Sequence, residues 1–304
     1  SEVRGERRAR PPGVMNGLLV IDKPAGVTSR AAVNRVQRWF PRGTKIGHTG
    51  TLDPLATGVL VVCVGQATRL ADYVQAMAKR YASRFRLGAT STSDDAEGTV
   101  TELPNAPVPA REQIETTLGR FVGLIEQLPP NVSALKVDGQ RAHDLVRKGQ
   151  DVKLAPRPVR IDTIRVFDYG WPYLDIEVDC GKGTYIRSIA RDLGAALGCG
   201  GLVQTLRRTR VGPFLAGQGA SLDADPASVT LRPMAEAVAG LPHVTLEPDV
   251  VRRLRHGQFV RYTLPCLLHN RAQPVAAFLA TGEFVGTVLP EPPDSIRAGI
   301  MFRV

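Results

Sequence analysis

Between Gly58 and Gly65 lies Val59-Leu-Val-Val-Cys-Val64, a wholly apolar run as long as any in the chain. It has the length of one strand and falls far short of the ~20 residues that a membrane-crossing helix needs. A short apolar run bounded by glycines predicts a buried strand, and a buried strand requires a sheet with other elements packed on it. Leu18-Leu19-Val20-Ile21 predicts a second such strand, closed by the turn Asp22-Lys23-Pro24-Ala25-Gly26.

The intervening pattern is helical. Thr28 or Ser29 can cap a helix whose apolar positions Ala32, Val33, Val36, Trp39 and Phe40 recur at helical spacing, and Pro41 with Gly43 ends it. Ala67 to Ala78 predicts another helix, with Leu70, Tyr73, Val74 and Met77 inward. Next, Tyr81, Ser83, Phe85 and Leu87 alternate with Ala82, Arg84 and Arg86, a strand with one packed face and one basic face. Residues 88 to 109 are expected to form a loop and Ala110 to Phe121 a helix. Residues 129 to 158 resemble an insertion, with a strand-like Val132 to Val137 and a helical Arg141 to Lys148.

Strands are expected over Ile161 to Phe167 and Tyr173 to Val178, followed by a turn at Cys180-Gly-Lys-Gly and a helix with Ile186, Ile189, Ala190, Leu193 and Leu197 on one face. The stretch from about 212 to 247 is rich in loop formers and predicts a linker. After it, Val250 to Arg255, Gln258 to Tyr262, Val275 to Leu279, Phe284 to Val288 and Ile300 to Val304 suggest a small β-rich module. There are no internal repeats. Strands adjacent in sequence favour an α+β body over a regularly alternating α/β sheet.

A formal net charge of +10 with 22% charged residues describes a folded basic protein, and such a balance points to a polyanionic partner, nucleic acid foremost. General surface solubility is the plainer explanation, and a motif must decide between them. Cys63, Cys180, Cys199 and Cys266 stand far apart and form no C-x-x-C pair, so they are expected to be reduced thiols, and Cys266 with His269 is too few ligands for a metal site. The N-terminal residues 1–12 carry Arg4, Arg7, Arg8 and Arg10 without an apolar core, which predicts a flexible basic arm rather than a secretory segment. Together these features predict a cytoplasmic protein with no membrane partner.

Two short glycine patterns are weak. Gly181-Lys182-Gly183-Thr184 stands at a helix start, but a phosphate loop needs a glycine at 176, which is Ile176. Gly47-His48-Thr49-Gly50 has the form of an RNA-clamping G-x-x-G, yet it runs into a strand rather than joining two helices. The longer span Gly47 to Leu60, G-H-T-G-T-L-D-P-L-A-T-G-V-L, is specific: it resembles the catalytic motif of the bacterial TruB family, the tRNA pseudouridine-55 synthases. Further blocks agree in order along most of the first 215 residues: Asp22-Lys23-Pro24, Lys79-Arg80-Tyr81, Leu87-Gly88, Ser133-Ala134-Leu135-Lys136, Lys182-Gly183-Thr184-Tyr185-Ile186-Arg187 and Leu206-Arg207-Arg208-Thr209.

The resemblance implies that Asp53 is the nucleophile, Tyr81 the aromatic residue against the target base and Arg187 the basic partner of Asp53. It implies RNA contacts from Lys23, His48, Lys136, Tyr185, Arg207 and Arg208, and an RNA-gripping thumb at 129–158. It further implies a catalytic domain over 13–240 with a mixed, largely antiparallel sheet and flanking helices, a small PUA-like RNA-binding domain over 245–304, a monomer, and tRNA as partner through its T-arm stem-loop. Arg84, Arg86, Arg141, Arg147, Lys148 and Arg210 are further cations suited to phosphate. The chain departs from the family pattern at Ser91-Thr92-Ser93 before Asp94 and Asp95, at His143, and at Gly201-Leu202. A guide-dependent synthase and a non-catalytic RNA chaperone are the alternatives.

The chemistry suits these residues. Turning uridine into pseudouridine changes no oxidation state and needs no energy input, so no cofactor and no metal are implied. A carboxylate can bond to an electrophilic carbon and leave again. Burial disfavours its charged form, and a guanidinium beside it offsets that, whereas a lysine could lose its proton. An aromatic face can stack on an extruded uracil, and the Tyr81 phenol could take part in removing the C5 proton.

Overall fold

The computed structural model describes residues 15–130, 136–137, 140–141, 154–262, 273–291 and 294–302. The chain enters as β1 (Gly17–Lys23), passes through α1 (Ser29–Gln37) and β2 (Ile46–His48), and forms the apolar run into β3 (Thr57–Val64). β3 is antiparallel to β1 and to β2. Successive side chains of a strand point to opposite faces, and both faces of β3 are covered. Leu60, Val62 and Val64 pack with Ala32, Val33 and Val36 of α1. Val59, Val61 and Cys63 pack with Leu70 and Val74, and with Ala276 and Phe302 far along the chain. Double burial is why no position in the run is polar, and it pushes the Cys63 thiol up to about 12, which leaves it inert.

The helix expected over Ala67 to Ala78 is a 3-10 turn at Gly65–Leu70 followed by α2 (Ala71–Ala76). β4 (Lys79–Leu87) alternates as expected, with Tyr81, Ser83, Phe85 and Leu87 inward. Residues 88–109 are not all loop: β5 (Ala89–Ser91) and β6 (Val100–Glu102) form a hairpin whose polar three-residue strands lack any apolar period. After α3 (Arg111–Gly119) comes β7 (Gly123–Gln127), an outer strand with too many exposed positions to be legible in the sequence. Within the insertion, β8 (Lys136–Val137) pairs with β9 (Gln140–Arg141). The helix expected there lies, beyond Arg141, outside the described residues.

β10 (Arg157–Gly170) pairs with β7 from Arg157 onward, so Arg157 and Pro158 belong to the sheet rather than to the insertion. β11 (Tyr173–Cys180), α4 (Ile186–Ala196), β12 (Gly201–Val211) and β13 (Phe214–Leu215) complete the body. The nine-stranded sheet has the order β1-β3-β12-β4-β11-β10-β7, with β2 attached to β3 and β13 to β12. Among the described strands of this sheet only the β3–β12 contact is parallel, and the rest are antiparallel. Ile114 and Leu118 of α3 and Ile186, Ile189 and Leu193 of α4 cover Phe85, Ile176 and Val178. The architecture is α+β.

The polar face of β4 is not the free basic surface expected. It lies against Asp175, Glu177 and Asp179 of β11, with Arg84 to Asp175 at 2.7 Å, Arg80 to Asp179 at 2.8 Å and Arg210 to Asp179 at 2.9 Å. Arg86 similarly pairs with Glu102. The expected linker is also packed: Leu18 bridges to Arg232 and Ile21 to Ala220, and Ala216, Leu222, Ala237 and Val238 are buried.

The C-terminal module comprises β14 (His243–Thr245), α5 (Pro248–Arg255), β15 (Val260–Arg261), β16 (Val275–Phe278), β17 (Phe284–Glu291) and β18 (Ser295–Met301), in sheet order β14-β16-β17-β18-β15. Val250 to Arg255 is helical rather than extended; Pro248 at its start and the Val251–Leu254 spacing of its buried residues fit a helix. The module leans on the body through Arg69, which donates to the Met301 carbonyl at 2.7 Å over the Phe302 ring.

Because Leu60 is fully buried in the most enclosed strand, Leu60→Ala should lower the unfolding free energy by about 2–5 kcal/mol, read from the urea midpoint at unchanged slope.

Candidate active site

Asp53 lies on the segment that joins β2 to β3, and this segment has almost no regular structure of its own. Side chains from neighbouring elements hold it instead. At the head of α1, Ser29 Oγ donates to the Leu52 carbonyl at 3.0 Å and accepts from the Leu52 amide at 2.8 Å. From the end of β1, Lys23 Nζ donates to the carbonyls of Val27 at 2.6 Å, Pro24 at 2.9 Å and Pro54 at 3.3 Å. From β12, Arg208 donates through Nε to Val59 at 2.8 Å, through Nη2 to Gly50 at 3.1 Å and through Nη1 to Thr51 at 3.4 Å. Gly58 makes the close approach of β12 feasible, since a Cβ there would stand 2.2 Å from the Arg208 carbonyl oxygen.

Lys23 and Arg208 were both expected on the RNA. Lys23 is 0% and Arg208 3% exposed, and both spend their donors on main-chain carbonyls of the protein. Arg207, by contrast, is half-buried and forms a two-point pair with Asp22 at 3.0 and 2.7 Å. His48 stands opposite Val62 on β2 and is not part of the cavity wall. Lys136 lies on β8, away from the sheet in sequence and register.

The three residues expected to act together converge. Arg187 projects from the first turn of α4, and its Nη2 lies 2.9 Å from Asp53 Oδ2. Its Nη1 lies 3.3 Å from Asp95 Oδ2 and donates to the Ser93 carbonyl at 3.0 Å. The side chains of Arg187 and Asp95 are 4% and 3% exposed, while that of Asp53 is 35% exposed and opens onto a cavity of about 320 Å³. Tyr81 forms part of the cavity wall with Lys79, Lys182, Tyr185 and Leu206. Burial pushes the Tyr81 phenol up, against the opposing pull of the Arg208 guanidinium, so it is protonated at neutral pH.

Sequence reasoning missed three supporting residues. Asp95 was noted only as a departure, although a buried arginine between two strands and a helix calls for more than one carboxylate; its Oδ1 also accepts from Ser93 Oγ at 2.5 Å. Gln127, at the end of β7, fixes the start of α4 by accepting from the Tyr185 amide at 2.8 Å and donating to its carbonyl at 3.0 Å. Lys79 is buried in the cavity wall and donates to the Gln75 and Met77 carbonyls, and burial, helped by Arg208, lowers it to about 8.

Lys23 is likewise lowered to about 8, by burial, with the negative charge of Asp53 opposing. Its native value therefore lies below its unfolded value of 10.5, and the native state releases this proton first. Stability must then rise with pH between about 8 and 10.5 from this group, being fully penalised below that window. Lys23→Met should remove this rise: between pH 8 and pH 10 the wild type should gain unfolding free energy relative to the variant, and a constant difference would contradict the assignment.

Comparisons with known proteins agree with the geometry. The model of the TruB family pseudouridylate synthase N-terminal domain matches residues 38–186, and that of the tRNA pseudouridylate synthase B C-terminal domain matches residues 187–239. A protein of Ruegeria pomeroyi named tRNA pseudouridine synthase B is 46% identical over 258 residues, covering 82% of this chain and 84% of that one. A Streptomyces griseus protein of the same name is 40% identical over 286 residues, covering 91% and 94%. Among solved structures, a chain in a Cbf5-Nop10-Gar1 complex superposes with a TM-score of 0.70 at 24% identity, over 94% of this chain and 85% of that one, a likeness of fold. With relatives this similar over most of its length and the Asp53, Tyr81 and Arg187 constellation assembled around one cavity, the chain belongs to the TruB family of pseudouridylate synthases.

Proposed function

We propose that this chain isomerises uridine to pseudouridine at position 55 in the T arm of tRNA, with Asp53 as nucleophile on a flipped-out base and without a cofactor. One observation carries the reading: among the carboxylates bound to Arg187, Asp53 is the one that opens onto the cavity. The name shared by the relatives in Ruegeria pomeroyi and Streptomyces griseus supports tRNA as substrate. The Gly47 to Leu60 motif supports the position.

In this reading Arg187 holds Asp53 Oδ2, leaving the other oxygen to bond to carbon. The bond from N1 to C1′ breaks, the uracil turns while tethered, and C5 bonds to C1′; the C5 proton leaves to solvent and N1 gains one. Attack at C1′ and attack at C6 call on the same residues. Tyr81 stacks on the base, and its phenol, kept neutral by burial, serves as a hydrogen-bonding group rather than as a phenolate base. Tyr185 and His48, the 129–158 insertion and the C-terminal module supply the RNA contacts, in a monomeric cytoplasmic enzyme.

Purified protein alone, mixed with a tRNA transcript tritiated at uracil C5, should release label to water, and Asp53→Asn should reduce the release by roughly 1000-fold or more. Release that requires added guide RNA and partner proteins would replace this reading with a guide-dependent synthase, and binding without release with a chaperone.

Arg187→Lys keeps the charge but loses the two-pronged geometry that spans Asp53 and Asp95. Turnover at saturating tRNA should fall on the order of 10- to 100-fold, the equivalent of one charge-assisted hydrogen bond, while affinity for tRNA is retained.

A further inference from the structure

Between Asp22 and Asp53 the chain has no acidic residue at all, and it carries Arg30, Arg35, Arg38, Arg42 and Lys45, all exposed. Among the described residues none of these five has an ion-pair partner, in contrast to Arg80, Arg84, Arg86, Arg207 and Arg210, which all do. Helix stability accounts for only part of them: Arg35, in the last turn of α1, complements the dipole there, but Arg30 stands at the other end and Arg42 and Lys45 lie beyond the helix. The first turn of α1 carries Arg30 and no acid, the wrong sign for the helix dipole, and Thr28 already caps that end. By the 100° step of a helix, Arg30, Arg35 and Arg38 fall within an arc of about 140°, opposite the buried Ala32, Val33 and Val36.

The turn after α1 is built to add to this face. Thr44 Oγ1 donates to the Pro41 carbonyl at 2.7 Å, Gln37 Nε2 donates to the Thr44 carbonyl at 3.2 Å, and Gly43 takes the left-handed conformation at φ 88°. Arg38, Arg42 and Lys45 thereby line one shallow hollow. The nearest acid in sequence to its far wall, Asp225 beside Pro226, has its carboxylate engaged by the Ala227 amide at 2.9 Å.

This excursion starts and ends at the active site. Ser29 at the head of α1 holds Leu52, next to Asp53, and Lys45 leads through β2 back to Thr49. At 1.5 Å per residue the nine-residue helix places the hollow roughly 14 Å from that anchor, too far for the reacting uracil and suited to backbone several nucleotides away. We propose that Arg35, Arg38, Arg42 and Lys45 form a second RNA-binding surface that holds phosphates of the substrate tRNA at a distance from the reacting base. The inference rests on tRNA being the substrate; phosphate fits because three cations, Arg38, Arg42 and Lys45, share one hollow whose described wall holds no acidic residue.

The test compares the full chain with Arg35→Gln/Arg38→Gln/Arg42→Gln and with the corresponding triple lysine variant, measuring tRNA binding over a range of KCl concentrations and label release at saturating enzyme. The glutamine variant should bind tRNA on the order of 10-fold or more weakly near 0.1 M salt, with a log–log salt slope shallower by roughly 2–3, and should release label normally once saturated. The lysine variant should keep the wild-type slope. Wild-type affinity and slope in the glutamine variant, equal weakness in the lysine variant, or a lower saturated rate with unchanged binding would each overturn the proposal. Absence of label release by the wild type would instead count against the catalytic reading, which the salt slopes do not touch.

Discussion

Two carboxylates share one buried guanidinium, and the rest of the site is arranged around that fact. Arg187 and Asp95 are almost fully enclosed, and an uncompensated charge in such surroundings costs several kcal/mol, so neither can lose its partner cheaply. Arg187 also stands in the first turn of α4, where the helix dipole disfavours a cation and no acid of that turn offsets it. Asp53 and Asp95, brought from distant parts of the chain, supply the charge that makes the position tenable. Asp95 is sealed and Asp53 is not, so the same pairing that stabilises the interior leaves one carboxylate facing the cavity.

That geometry requires an irregular segment to be rigid. The residues around Asp53 include Pro54 and Gly50, and they form no ladder of their own. Lys23 and Arg208 answer this by reaching from β1 and β12 into the segment and donating to its carbonyls, and Ser29 closes it against α1. Cations at a nucleic-acid-modifying site are easily assumed to meet phosphate. Here two of them act as fixed multi-donor groups inside the protein, and preorganisation of the carboxylate depends on them.

What the sequence showed follows the reach of each signal. Apolar period and glycine boundaries sufficed for β1, β3, β4 and α4 because these patterns are local, whereas Asp53 was singled out by the resemblance of the Gly47 to Leu60 span to a family motif. The insertion boundary, the β5–β6 hairpin and β7 were not visible, since short or exposed strands carry no period. Roles that depend on facing partners were least visible. Arg84 and Arg208 look alike in a sequence, yet one lies over Asp175 on the surface and the other is buried under the loop. Gln127 carries no signal, because its importance comes from meeting the Tyr185 backbone across 58 positions. The 212–247 stretch looked like a linker because it packs on β1 through isolated bridges and short 3-10 turns, which carry no apolar period.

An aspartate facing the cavity of an enzyme that acts on a polyanion poses an electrostatic difficulty, since its charge repels what must enter. Among the described residues the cavity wall contains one carboxylate, Asp53, and the cations Lys79, Lys182, Arg187 and Arg208, so its formal charge is positive. Arg187 is matched to Asp53, and Lys79 and Arg208 hold main-chain carbonyls, which leaves the exposed Lys182 as the cation without such a task. The outer polar face of the sheet is close to neutral through the Arg80, Arg84 and Arg210 pairs, so it does not compete. In the proposed reading the cations of α1 and of the cavity wall, more than the net +10, orient an approaching RNA.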